Sequence, residues 1–233
     1  TLRSFEPGEI HSVPQRPALG TIERVLDLLR QARRPLVLAG HGIRLAGARA
    51  LFAELIDRLK LPFVSTWNVS DLLATDHEFY VGRPGIFGQR GANLAVQNCD
   101  LLMVIGSHLS IALTGTTFAA FAREAKKVIV DIDPDELEYR SVPVDLSIQS
   151  DANAFLAALL ESSRGVVVRD TTPWRELCAR YAAHNCVPAE WRQREGHVDA
   201  YVFMDILSGE LDNRDIVVVD GGGTVNQVCF QAS

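Results

Sequence analysis

Cysteine is scarce: four residues in 233, at positions 99, 178, 186 and 229, with no CxxC pair among them. That spacing argues against a thiolate metal site or a disulfide framework and suits reduced thiols in a cytoplasmic protein. Long hydrophobic runs are also lacking, since no segment approaches the roughly 20 apolar residues that cross a bilayer. The amino-terminal Thr1-Leu2-Arg3-Ser4-Phe5-Glu6-Pro7 has no apolar core of a signal peptide. It has no initiator methionine either, so the chain is expected to begin within a longer protein. Positive charge is not in excess: 23 Lys and Arg against 29 Asp and Glu leave a net charge of −6. Neither nucleic acid nor an anionic membrane is an expected partner. At this length roughly 70 to 75% of the unfolded chain's surface is buried, so a core needs no metal or disulfide.

What the chain does have is a repeated pattern of short apolar runs ending in glycine or polar residues. Cys99-Asp100-Leu101-Leu102-Met103-Val104-Ile105-Gly106-Ser107-His108 is its centre. An apolar run without alternation suits a strand buried on both faces of a parallel sheet. Ligands of open α/β sheets sit beyond the carboxyl ends of the strands, which is where Gly106, Ser107 and His108 fall. Leu36–Ala39 and Leu61–Thr66 precede this run, and Val128–Asp133 and Val144–Ser150 follow it, with helical periods between them. The fold expected is α/β, a Rossmann-like doubly wound parallel sheet of about five to six strands.

Residues 1–17 read as an interdomain linker, punctuated by Pro7, Gly8, Pro14 and Pro17. Residues 18–163 carry the sheet pattern, opening on a helix that Thr21 can cap. Residues 67–90 are irregular, and a helix is expected from Phe118 to Ala125. Residues 164–198 form a linker with a helix around Trp174, Leu177 and Tyr181; Val166-Val167-Val168 could add an edge strand. Residues 199–233 begin another domain, with a helix capped by Asp199 and a last buried strand at Asp215–Asp220 that runs into Gly221-Gly222-Gly223-Thr224.

The chemistry-bearing positions lie at the strand ends. Gly40-His41-Gly42 permits a tight turn and close approach of a ligand, and a helix start there favours an anion. Leu45 stands where a third Rossmann glycine would be, and a turn that merely joins strand to helix fits the same residues. Asp131 and Asp133 suit hydrogen bonds to ribose hydroxyls or, equally, a cap for the next helix, and Asp151 caps a helix through Phe155, Leu156, Leu159 and Leu160. His77, His184 and His197 lack ligand-spaced partners. Cys99 reads as a small apolar filler, and Asp135, Glu136 and Glu138 as a solvated first turn.

LVLAGHGI, FVSTWN, GRPGIFGQRGANLAVQNCDLLMVIGSHLS, FAREAKKVIVDIDPDEL and SIQSDA, in that order, resemble the central domain of thiamine-diphosphate enzymes of the acetolactate synthase and pyruvate oxidase group. Asp199 to Ser233 resembles the start of their diphosphate-binding domain. The resemblance implies a deoxyhypusine-synthase-like NAD/FAD-binding fold in a homodimeric or homotetrameric transferase or lyase. It implies a 2-oxo acid substrate, with thiamine diphosphate and Mg2+ as cofactors of the complete enzyme. Gly222, Gly223 and Thr224 match the turn against the thiamine diphosphate. Along the strand ends, FAD or an adenine nucleotide would meet Gly40, Gly42, Thr66, Gly106, Ser107, Asp131, Ile132, Asp133 and Asp151; an empty architectural domain is the other reading. Where FAD-binding relatives place an arginine near the diphosphate, this chain has His108. The family's catalytic glutamate belongs to a preceding pyrimidine-binding domain, and Asp220-Gly221-Gly222 departs from its GDG magnesium motif. No catalytic residue is therefore assigned, and the chain alone is expected to be inactive. Two alternatives are an NAD-dependent enzyme like sirtuins or deoxyhypusine synthase, and a non-catalytic nucleotide-binding module.

Overall fold

Strand residues that are apolar on both faces need helices on both faces, and the computed structural model shows this arrangement. It describes residues 16–138, 141–166, 169–185, 187–193, 195–212, 214–218 and 228. Six parallel strands, β1 (Pro35–Ala39), β2 (Phe63–Ser65), β3 (Tyr80–Gly82), β4 (Leu101–Ile105), β5 (Lys126–Asp131) and β6 (Leu146–Gln149), lie in the order β3-β2-β1-β4-β5-β6. The winding reverses between β1 and β4, where Leu38 stands opposite Val104 and Ala39 opposite Ile105. That reversal opens a crevice at the carboxyl ends of the two strands.

Alternate side chains of each strand enter different cores. Val37, Ala39, Met103, Ile105, Val128 and Val130 pack with α1 (Leu19–Gln31), α3 (Arg49–Leu59) and α7 (Ala152–Ser162). Leu36, Leu38, Leu102, Val104 and Ile129 pack with α4 (Arg90–Asn98) and α8 (Thr172–Ala182) on the opposite face. Short helices α2 (His41–Leu45), α5 (Ile111–Thr114) and α6 (Pro134–Glu138) line the carboxyl rim, and α9 (Ala200–Glu210) follows α8.

Several local expectations change. Helix α1 begins before Thr21, with Ala18 at its N-cap and no side-chain cap; the Thr21 amide instead donates to Ala18 O at 2.9 Å. The irregular 67–90 segment contains β3, whose Tyr80 pairs with Phe63 and bonds Ser65 Oγ through its hydroxyl at 2.9 Å. Only a 3-10 turn, Phe118–Ala120, forms where a longer helix is expected, and Ala122 turns to φ 45°. Helix α8, within the segment read as linker, is anchored: the Trp174 indole is buried and donates to Pro35 O at 2.8 Å. Asp215 to Val218 joins no strand among the described residues, and Ile216 and Val218 are 88% and 89% exposed. Val166 joins no strand either; Val167, Val168 and the end of the Asp215–Asp220 run lie outside the described residues.

Candidate functional site

The turns after β1 and β4 interlock. Gly40 N–H donates to Ile105 O at 2.9 Å, Gly42 N–H to Gly106 O at 2.8 Å, and Gly106 N–H to Val130 O at 2.8 Å. A Cβ on Gly40 would stand 2.1 Å from Gly106 O, and one on Gly42 2.7 Å from Gly106 Cα. Gly106 itself sits at φ 61°, where an L side chain is strained. The crowding that demands glycine at 40 and 42 thus comes from the neighbouring turn of the same chain.

Beside this knot lies a cavity of about 250 Å³, lined among others by His41, Thr66, Trp67, Asn68, Ser107 and Leu113. Two of its lining residues carry a buried atom without a hydrogen-bond partner among the described residues, His41 Nδ1 and Thr66 Oγ1. Buried polar atoms are normally satisfied, so an unmet pair beside a cavity marks a place for a polar ligand atom. A second cavity of about 160 Å³ is lined by Phe118, Asp131, Glu136 and Val142, and shares Ser107, His108 and Ser110 with the first. His108 Nδ1 lies 2.5 Å from Glu136 Oε2. Burial pushes the Asp131 carboxyl above its ordinary value, opposed by the Asp133 amide that donates to its Oδ1 at 3.0 Å.

Of the sequence-derived positions, Thr66, Gly106, Ser107 and Asp131 line these two hollows, while Gly40 and Gly42 pack against Gly106 and line neither. Ile132 and Asp133 line neither. Ile132 is partly exposed, and Asp133 Oδ1 accepts from the Asp135 amide at 2.9 Å, which is the capping role. Asp151 is also a cap, its Oδ1 accepting from the amides of Asn153 and Ala154 at 2.9 and 3.1 Å. Gly222, Gly223 and Thr224 lie outside the described residues. The sequence reading missed His41, Asn68 and Glu136 as lining residues. His41 between two glycines was the available signal; Glu136, read as a solvated first turn, is the partner of His108. His77 Nε2 lies 3.2 Å from Asp57, and its ring packs edge-on against Phe63.

The rim suits part of FAD and not the rest. A ring could meet His41 and Thr66, and hydroxyls could meet Asp131. Among the described residues that line the hollows there is no Lys or Arg to meet the diphosphate, and the amides of Gly40, Gly42 and Gly106 are already spent within the chain. Among the described residues no group of three His, Cys, Asp or Glu side chains is arranged to hold a metal.

Residues 22–159 match the family model described as thiamine pyrophosphate enzyme, central domain. The chain is 34% identical over 155 residues to the probable acetolactate synthase large subunit of Methanocaldococcus jannaschii, covering 66% of this chain and 26% of that protein. It is 28% identical over 193 residues to the acetolactate synthase isozyme 2 large subunit of Escherichia coli, covering 83% and 33%. For the Corynebacterium glutamicum acetolactate synthase large subunit the values are 31% over 160 residues, 68% and 25%. The chain therefore spans between a quarter and a third of the length of these curated relatives. These matches favour the acetolactate synthase group over an NAD-dependent sirtuin-like enzyme. All six strands lie inside the matched segment, and the chain belongs to the thiamine pyrophosphate enzymes, in the acetolactate synthase group, through their central domain.

Proposed function

We propose that this chain works within an acetolactate synthase-like enzyme that decarboxylates a 2-oxo acid and joins the product to an acceptor. The observation that carries this reading is the continuous family match over residues 22–159, which takes in every strand of the sheet. Similarity to the Escherichia coli relative over 193 residues adds support beyond the central domain. Thiamine diphosphate, held with Mg2+ in the complete enzyme, supplies the electron sink for the decarboxylation. The chain's own part is architectural: the slab holds the pyrimidine- and diphosphate-binding domains in register within a homodimer or homotetramer, and none of its described residues is assigned to the chemical step. The strand-end rim is a ligand crevice set apart from that step.

The test compares the purified chain with the product of its complete encoding reading frame, each supplied with pyruvate, thiamine diphosphate and Mg2+. Acetolactate, read colorimetrically, is expected from the complete product and not from the chain alone. Acetolactate formation by the isolated chain, or no decarboxylation and carboligation by the complete product with any 2-oxo acid tried, overturns the reading.

A further inference from the structure

We infer that the rim between β1, β4 and β5 takes an uncharged nucleoside in preference to a diphosphate-bearing nucleotide, and that Glu136, through His108, sets that preference. The inference rests on reading this rim as the ligand crevice of the central domain, and it does not depend on 2-oxo acid turnover.

The larger hollow has the character of a base pocket. Among the described residues its lining holds no Asp, Glu, Lys or Arg, and it combines the apolar Trp67, Pro84 and Leu113 with the polar Asn68. His41 Nδ1 and Thr66 Oγ1, on two of its lining residues and without partners among the described residues, would gain hydrogen bonds from the edge of a heteroaromatic ring. The smaller hollow has the character of a sugar pocket: the carboxylates of Asp131 and Glu136 are acceptors for hydroxyl donors. Ser107, His108 and Ser110 border both, so one ligand can occupy the two together.

Phosphate is disfavoured by the same residues. Asp131, Asp133, Asp135, Glu136 and Glu138 place five carboxylates along the end of β5 and α6. The one imidazole facing them from the β4 turn, His108, is already held 2.5 Å from Glu136. Among the described residues, Arg44 pairs with Asp71, and Arg83, fully buried after β3, lines neither hollow. The glycine-turn amides that would cradle a diphosphate are consumed by Ile105, Gly106 and Val130. A carboxylate beside a phosphate repels it, and its removal is expected to recover about tenfold in affinity at a partly exposed site.

Isothermal titration calorimetry of the purified chain with adenosine, ADP and FAD is the test. Wild type is expected to bind adenosine about tenfold or more tightly than ADP or FAD. Glu136→Gln keeps an acceptor oxygen and loses the charge, so it should raise ADP affinity about tenfold relative to adenosine. His108→Arg should shift the ratio the same way, and unchanged thermal melts of both variants guard against misfolding. ADP or FAD binding wild type as tightly as adenosine, no binding of any of the three, or variants that leave the ratio unmoved each overturn the proposal. Acetolactate formation by the complete reading-frame product together with a failed nucleoside preference sinks only this inference. A preserved preference without acetolactate sinks only the proposed reaction.

Discussion

Gly42 donates its amide to Gly106 O at 2.8 Å, and the two backbones run so close that a Cβ on Gly42 would lie 2.7 Å from Gly106 Cα. The contact joins the two strands between which the winding reverses, so the glycines hold the crevice shut at its base. Gly40 is tighter still, with Gly106 O 2.1 Å from where its Cβ would be. Replacing Gly40 with alanine forces backbone against backbone and should cost about 3 kcal/mol. Gly20, in helix α1 with nothing within 4 Å, is the control. Gly20→Ala should stabilise by about 0.5 to 1 kcal/mol, because alanine loses less entropy in a helix. Urea unfolding of the two variants checks the contrast. Equal and small effects would mean that the turns are not interlocked.

Helix α8 should behave as part of the central folding unit. Trp174 is 3% exposed, and its indole N–H bonds Pro35 O. Trp174→Phe keeps most of the apolar contact and should lose about 1 kcal/mol with the hydrogen bond. Trp174→Ala should lose about 3 to 5 kcal/mol in a single cooperative transition. Denaturant midpoints decide this; a change within about 0.5 kcal/mol for the alanine variant would return α8 to the status of a linker.

Alkaline pH should weaken the fold through its buried thiols. Burial pushes Cys99 from an ordinary value of 9.0 to about 12, and Cys178 is raised for the same reason, with Cys99 beside it adding to the effect. In the unfolded chain these thiols ionise near their ordinary value while the native ones stay protonated. The contribution is therefore complete below about pH 9 and is lost as pH rises toward 12. Each such thiol removes up to about 1.4 kcal/mol per pH unit across that window. Unfolding of wild type and Cys99→Ala at about pH 7.5 and about pH 10 should show the shallower loss in the variant. A second readout is alkylation near neutral pH, which should reach Cys99 and Cys178 only after unfolding.

The sheet was legible because β1, β4 and β5 are apolar on both faces, and that pattern admits little besides a covered parallel strand. Strand β3 was not legible. Tyr80-Val81-Gly82 is too short for periodicity to register, and its pairing with Phe63 is a tertiary fact. At the rim, Gly40 and Gly42 are required by their close approach to Gly106, a tertiary contact that a glycine turn in sequence does not specify. Asp133 and Asp151 show the limit of reading acidic residues at strand ends: a ribose contact and a helix cap use the same residue type, and geometry shows the cap at both. The His108–Glu136 pair joins residues 28 apart, a contact that local sequence does not specify.

The anchor between Trp174 and Pro35 spans 139 positions of sequence. A ribosome adding roughly 5 to 20 residues per second delivers the indole roughly 7 to 28 seconds after the carbonyl that receives it. Throughout that interval one face of the nascent sheet, including Leu36 and Leu38, lacks the indole that covers it in the finished protein. Moving the α8 segment closer to the amino terminus by circular permutation would shorten that delay.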